Sequence, residues 1–180
     1  MRFNYVFYEK LPDKYFNEIK GIIETVDMEF VPPLSTRIAT TQNKFVFDDD
    51  YKVNDSINLY LSTLTQQKFI LAFHNEIIVG FLSFVENHTF EFLNIPSENI
   101  YITTVCVATN YRRCGISKEL HVFLKATFQN TLIYTRTWNT NISHIALLKK
   151  KNYDLIYEIA NDRGQGIDSV YYAKKITSCD

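Results

Sequence analysis

The feature of this sequence that most constrains its fold is the stretch at residues 105–120, which reads VCVATNYRRCGISKEL. Residues 101–107 are rich in β-branched and aromatic side chains, and this composition predicts a covered β-strand. A short polar turn follows. Beyond the turn, apolar residues recur at helical spacing, at Ile116, Leu120, Phe123 and Leu124. The stretch therefore predicts a strand, a turn and an amphipathic helix in direct succession.

The turn between this strand and this helix has the properties of a phosphate site. Backbone N–H groups in the first turn of a helix have no partners within the helix, and the helix dipole adds partial positive charge. Gly115 lets the backbone approach a ligand closely, and Ser117 adds a small hydroxyl group. Arg112 and Arg113 add guanidinium groups, whose geometry suits phosphate oxygens.

Two segments resemble motifs of the GNAT superfamily of N-acetyltransferases. Arg112-x-x-Gly115-x-Ser117 resembles its pyrophosphate-binding signature, Gln/Arg-x-x-Gly-x-Gly/Ala, with Ser at the last small position. Residues 141–153, NISHIALLKKKNY, resemble a later motif in which Asn precedes a helix that ends in Lys-x-Gly-Phe. The order and spacing of the two segments agree with the family, and the resemblance covers roughly residues 65–176.

The resemblance implies that acetyl-CoA is the co-substrate. Backbone groups of Val105 and Val107 would pair with the pantetheine arm like an added strand, and Asn141 would contact the arm from the far side. The pyrophosphate would lie on the N–H groups of residues 113–117. The implied cofactor-binding residues are Val105, Cys106, Val107, Arg112, Arg113, Cys114, Gly115, Ile116, Ser117, Lys118 and Asn141.

The whole chain, residues 1–180, is expected to form one α+β (three-layer α/β) domain. Its length of 180 residues and its hydrophobic content of 46% support one sizeable core. Strands are predicted at 3–8, 69–73, 77–85, 101–107, 132–138, 154–160 and 170–176. Helices are predicted at 11–26, 54–64, 116–129 and 141–151. This order is also that of the superfamily, and it favours a mixed, mostly antiparallel central sheet with helices on both faces.

Composition and patterning argue against several classes of protein. The formal net charge is -1, so no global basic field attracts nucleic acid. Cys106, Cys114 and Cys179 lack the spacing of metal ligands, and no metal is expected. No apolar run approaches about 18 residues and the N-terminus lacks a signal-peptide core, so a cytoplasmic protein that does not bind membranes is expected. A homodimer is compatible with the sequence.

The sequence does not identify the residues that move protons. Some relatives carry a catalytic Glu on the strand before the phosphate turn, and by spacing Tyr101 stands there instead. Many relatives have a Tyr on the last helix as general acid, and here the spacing gives Leu148. Tyr101 remains a candidate, as does His144, whose unperturbed pKa suits proton transfer. Proton removal through ordered water would need no dedicated base.

The leading hypothesis is an acyl-CoA-dependent N-acyltransferase that transfers acetyl from acetyl-CoA to a primary amine. A small-molecule amine is favoured because the consecutive carboxylates of Asp48, Asp49 and Asp50 could attract a cation. The alternative is a non-catalytic acyl-CoA-binding sensor or scaffold, which the absence of the familiar proton-handling residues keeps open. Cys114 is expected to be structural, since the turn should face the pyrophosphate and not the acetyl group.

Overall fold

A computed structural model of the protein describes residues 1–45 and 56–176. Within these two ranges the chain forms seven strands and four α-helices. They are β1 (Asn4–Tyr8), α1 (Phe16–Val26), α2 (Ser56–Leu64), β2 (Lys68–His74), β3 (Ile77–Glu86), β4 (Asn99–Val107), α3 (Ile116–Thr127), β5 (Leu132–Trp138), α4 (Ile142–Lys150), β6 (Asp154–Ile159) and β7 (Ser169–Lys175). Each predicted strand and helix is present. The three aspartates at 48–50 and Cys179 lie outside the described residues.

The strands form one sheet in the order β1-β2-β3-β4-β5-β7-β6. Strands β4 and β5 are parallel, and the other five neighbouring pairs are antiparallel. The prediction of a mixed, mostly antiparallel sheet is therefore confirmed. No helix in the described ranges is both long enough and apolar enough to cross a membrane.

Helices cover both faces of the sheet because each presents a stripe of apolar side chains. On α1 the buried residues are Ile19, Ile22, Ile23 and Val26, which pack in one cluster with α2 and one face of β2. On α3 the buried Ile116, Leu120 and Leu124 pack against the opposite face. Burial of one such side chain contributes about 1.5–3 kcal/mol, so these stripes fix each helix on its face.

Strand β4 changes the direction of its side chains part-way along. Ser83 pairs with Thr104 and Phe84 pairs with Ile102, so Thr103 is an extra residue in β4. Such a bulge reverses the alternation of side chains. Ile102 consequently packs on the α3 side of the sheet, whereas Cys106 packs on the α1 side.

Gly80 lies at a bulge and at a close approach of two strands. The register of β2 and β3 shifts between Ala72, which pairs with Gly80, and Phe73, which pairs with Ile78. A Cβ atom on Gly80 would lie 2.9 Å from the carbonyl oxygen of Cys106. The glycine therefore allows β3 and the end of β4 to lie close together.

The two central strands separate along their length. Strands β4 and β5 pair only from Asn99 with Leu132 to Ile102 with Thr135. Beyond this point β5 still pairs with β7 as far as Trp138, while β4 continues to Val107 beside β3. The backbone of β4 at 103–107 is thus left without β5 as a neighbour, and a gap opens between the strands.

Candidate active site

The gap between the central strands contains a cavity of about 220 Å³, which we name the inner cavity. Residues 102–107 of β4 form one wall and residues 135–138 of β5 form the other. The end of α1 and the loop after it contribute Val26, Glu29 and Phe30. The cavity therefore lies where the edge of β4 has lost its neighbouring strand.

A second cavity, of about 470 Å³, lies between the turn after β4 and helix α4, and we name it the outer cleft. Val107, Arg112, Ser117 and His144 line both cavities. The two spaces therefore adjoin, and together they run from the phosphate turn to the gap between the strands.

The turn that opens α3 has the geometry expected of a phosphate site. Arg113 and Gly115 have positive φ angles of 62° and 80°. No atom lies within 4 Å of the position of a Cβ on Gly115, so the space above the backbone is open. The N–H of Glu119 makes the first helical bond, to the carbonyl of Gly115 at 3.1 Å. The N–H groups that precede it in the helix are available to a ligand, and the turn fits a pyrophosphate group.

Ten of the eleven residues that the resemblance implied for the cofactor line one or both cavities. Ile116 is buried in the core, so only its backbone could serve a ligand. Burial raises the pKa of the Cys106 thiol to about 12 and keeps it neutral. Cys114 is exposed and lines neither cavity.

Part of the positive charge near the turn is already paired. Nη2 of Arg112 donates to Oε1 of Glu29 at 2.8 Å, which joins the turn to the loop after α1. Nζ of Lys118 lies 3.2 Å from Oε1 of Glu119, and both side chains are about half exposed. Backbone N–H groups and Arg113 therefore remain the more direct donors for a phosphate.

The start of α4 positions His144 where the two cavities meet. Oδ1 of Asn141 accepts a hydrogen bond from the backbone N–H of His144 at 3.4 Å and so caps the helix. Nδ2 of Asn141 donates to Oγ1 of Thr137 at 3.1 Å. Burial lowers the pKa of the His144 imidazole to about 4, so the ring is neutral at pH 7.

The other candidate for proton transfer, Tyr101, lines neither cavity. Its ring stacks on Tyr134 at a centroid distance of 4.7 Å and on His88 at 5.3 Å. Tyr101 precedes the bulge at Thr103, and its buried side chain belongs to an aromatic cluster whose rings contact Arg136. The structure therefore brings His144 to the cavity and leaves Tyr101 in the core.

Sequence reasoning missed four charged residues that line the inner cavity: Glu29, Arg37, Arg136 and Arg163. Among the described lining residues, Glu29 is the one carboxylate. Arg136 could have been identified from the sequence, because a charged residue is unusual within the otherwise apolar and β-branched strand LIYTRTW. The other three lie in turns and loops, where charged residues are ordinary.

Comparison with known proteins identifies the family. The sequence profile of the Acetyltransferase (GNAT) family matches residues 36–153, which is well over half of the chain. The chain belongs to the GNAT acetyltransferase family. The resemblance seen in the two motifs is thereby confirmed, and so is acetyl-CoA as co-substrate, since the family uses it and one similar structure contains it.

Solved structures with the same fold cover nearly the whole of this acetyltransferase. A proposed acetyltransferase from Acinetobacter baylyi ADP1 is 18% identical, with a TM-score of 0.66 over 100% of this chain and 98% of that one. The protein yncA from Salmonella typhimurium, solved with its cofactor acetyl-CoA, is 11% identical, with a TM-score of 0.61 over 97% and 95% of the two chains.

A third similar structure is the ribosomal-protein-S18-alanine N-acetyltransferase from Escherichia coli. It is 11% identical, with a TM-score of 0.61, and the match covers 97% of this chain and 95% of that one. Identities this low show the fold alone. A search of curated proteins found no match. The acceptor must therefore be argued from this chain's own residues.

Proposed function

We propose that this acetyltransferase transfers the acetyl group of acetyl-CoA to the primary amine of a small molecule. The observation that carries the proposal is the continuity of the two cavities, since an open phosphate turn leads directly into an inner cavity of about 220 Å³. A cleft of this size suits a small acceptor better than a length of polypeptide.

In this proposal the cofactor is held mainly by backbone groups. N–H groups at residues 115–118 and the guanidinium of Arg113 hold the pyrophosphate. The free edge of β4 at residues 103–107 pairs with the pantetheine arm, as an added strand would. Asn141 contributes by holding α4 against Thr137, which keeps the far wall of the site in place.

The thioester of acetyl-CoA supplies an activated carbonyl, and this chain must present a deprotonated amine to it. A base with a pKa near 4 accepts protons poorly at neutral pH, so His144 is a weak base there. The carboxylate of Glu29 is engaged with Arg112. We therefore assign most of the rate to orientation of the amine in a confined site. The rate of transfer should then rise with pH in proportion to the deprotonated fraction of the acceptor amine.

Calorimetric titration with acetyl-CoA and with CoA tests the cofactor half of the proposal. Ser117→Glu places a carboxylate where the pyrophosphate should bind, at a helix start where negative charge stabilises the helix. Affinity should fall by at least about tenfold while the fold is kept. Asn17→Glu puts the same charge into the first turn of α1, at an exposed site, and should leave affinity unchanged.

Release of CoA with a panel of primary amines tests the transfer itself. Turnover of any small amine, lost in Ser117→Glu and kept in Asn17→Glu, supports the proposal. Failure of folded wild-type protein to bind either cofactor would overturn it. Tight binding of acetyl-CoA with no turnover of any amine would favour a non-catalytic acyl-CoA-binding domain.

A further inference from the structure

Three arginines from separate parts of the chain surround a single aromatic ring at the inner cavity. Arg37 follows a short helical turn at Leu34–Thr36, Arg136 lies on β5, and Arg163 lies in the connection between β6 and β7. Their guanidinium carbons lie 5.1, 4.6 and 4.5 Å from the centroid of the Phe45 ring. All three side chains line the inner cavity.

Two of the three side chains are buried, Arg136 is half-buried, and the three charges lie near one another. Arg37 is 8% exposed and Arg163 is 3% exposed. Burial lowers the pKa of Arg37 to about 10 and that of Arg163 to about 9, and in both cases neighbouring guanidinium groups lower it further. All remain charged at pH 7. Gathering like charges in a buried place is unfavourable unless something offsets the cost.

Neutral groups hold the arginines in position. Arg37 donates to the carbonyl of Pro32 from Nε at 3.1 Å and from Nη2 at 2.8 Å. Arg136 donates to the carbonyl of Gln42 at 2.8 Å and to the hydroxyl of Tyr171 at 3.3 Å.

Arg163 is held in the same way. It donates to the hydroxyl of Ser169 at 2.9 Å and, through Nη1, to the carbonyl of Val31. These bonds to neutral groups fix the direction of each guanidinium without neutralising its charge.

Within the described ranges, none of the three arginines forms an ion pair with a carboxylate. Asp162 is joined to Arg163 through the hydroxyl of Ser169, which donates to its Oδ2 at 2.5 Å. Its negative charge partly offsets the burial that lowers the pKa of Arg163, and Asp27 does the same for Arg37. Glu29, the carboxylate of the inner cavity, is paired with Arg112. A preorganised group of cations with free donors is the arrangement that binds an oxyanion, since guanidinium groups match carboxylate and phosphate geometry.

We propose that Arg37, Arg136 and Arg163 bind an oxyanion of the acceptor, a carboxylate or a phosphate carried by the same small molecule that bears the amine. The inference rests on the proposed function, because it assigns the acceptor to the inner cavity. An anion held at the arginines leaves an amine a few bonds away within reach of the β4 wall, where the acetyl group would arrive. A polyamine, whose second cation the arginines repel, is a poor acceptor.

Matched acceptors test the proposal by turnover. We pair each standard α-amino acid with its carboxamide and phosphoethanolamine with ethanolamine, and we include putrescine. The charged member of at least one pair should have a kcat/KM at least about tenfold higher than its neutral partner. The two kinds of pair separate a carboxylate site from a phosphate site. Equal turnover of charged and neutral members, or preferred turnover of putrescine, would overturn the inference and leave the proposed function standing.

Binding without turnover tests the site even if no acceptor in the panel reacts. With CoA saturating, so that the phosphate turn is filled, inorganic phosphate and succinate should each be titrated while the melting temperature is recorded. A rise in the melting temperature of wild type that is absent in Arg163→Gln and Arg136→Gln supports the site. Arg2→Gln removes an exposed charge elsewhere and should behave as wild type.

Two results of the binding experiment would overturn the site. One is the absence of any shift in wild type. The other is a rise in wild type that both arginine variants keep in full, because the anion would then bind elsewhere. If wild type shows no rise, one that appears when Asp48, Asp49 and Asp50 are all changed to Asn would show that the chain's own carboxylates neutralise the arginines. If an arginine variant fails to fold, two other experiments test the site. One repeats the melting experiment with Arg136→Lys, and the other asks whether phosphate competes with an anionic acceptor in wild type.

Discussion

Glu29 and Arg112 form an ion pair of 2.8 Å that joins the loop after α1 to the turn before α3. The pair closes one side of the region where the inner cavity meets the outer cleft, since Glu29 lines the first and Arg112 lines both. The two residues come from segments that lie on opposite faces of the sheet, so the contact also connects the loop at the inner cavity to the turn that opens α3.

Glu29→Gln should strengthen cofactor binding and leave chemistry nearly intact. Loss of the carboxylate frees the positive charge of Arg112 for phosphate, and we expect the Kd for acetyl-CoA to fall by about two- to fivefold. Stability should drop by no more than about 1 kcal/mol, since the two side chains are 39% and 51% exposed. Titration calorimetry and steady-state kinetics measure both effects.

The matched control for Glu29→Gln is Glu24→Gln, which breaks an exposed pair with Lys20 within α1. It should change neither the Kd for acetyl-CoA nor kcat. A fall in kcat of about a hundredfold in Glu29→Gln alone, with loss of the rising limb of the pH profile, would make Glu29 a general base and contradict catalysis by orientation.

Acid should destabilise the protein through His121, which is buried, and His144, which is half-buried. Burial, together with the charges of His144 and Lys151, lowers the pKa of His121 to about 3, and burial lowers that of His144 to about 4. The unfolded chain, with an ordinary value near 6.5, binds these protons more readily. Stability is therefore complete above about pH 6.5 and is lost as pH falls toward 4, by several kcal/mol in all.

Urea unfolding between pH 7 and pH 4 measures this dependence. His121→Gln and His144→Gln should each reduce the loss of stability over that range. If the free energy of unfolding of both variants falls with pH as steeply as that of wild type, the two imidazoles do not cause the acid destabilisation. The rate of acetyl transfer, in contrast, should show no titration of His144 between pH 6 and pH 8, since its pKa lies near 4.

Local patterns predicted the fold and the turn that opens α3, and they could not predict the arginines at the inner cavity. Apolar periodicity identified α1 and α3, and the phosphate turn was visible because its glycine, its small residue and the helix are contiguous in sequence. Arg37, Arg136 and Arg163 meet only after the sheet has brought their three segments together. Counting along β4 also could not reveal the extra residue at Thr103, which decides which side chains beyond it face the gap.

Cys114→Ser should leave kcat within about twofold of wild type, because the thiol lines neither cavity. An exposed thiol reacts with maleimide far faster than a buried one. Mass spectrometry after brief labelling should therefore find the label on Cys114 and not on Cys106, whose pKa burial raises to about 12. Loss of transfer in Cys114→Ser with acetyl-CoA binding intact would indicate that the thiol takes part in the reaction.

Gly80→Ala should destabilise the fold and weaken cofactor binding together. The new Cβ would lie 2.9 Å from the carbonyl oxygen of Cys106 and 3.2 Å from Cγ2 of Ile116, so β4 or α3 must shift. Overpacking of this kind costs about 1–3 kcal/mol. Since β4 forms one wall of the inner cavity and Ile116 begins the helix of the phosphate turn, the Kd for acetyl-CoA should rise by several-fold.

Gly21→Ala is the matched control, because it adds the same methyl group at an exposed position inside α1 where no atom lies within 4 Å of the new Cβ. Alanine is the better helix former, and we expect a gain of about 0.5–1 kcal/mol in the free energy of unfolding, with no change in cofactor affinity. Chemical denaturation and titration calorimetry on the two variants decide the point. Equal stability of Gly80→Ala and wild type would mean that β3 and the end of β4 separate freely, and the wall of the inner cavity would then be adjustable rather than fixed.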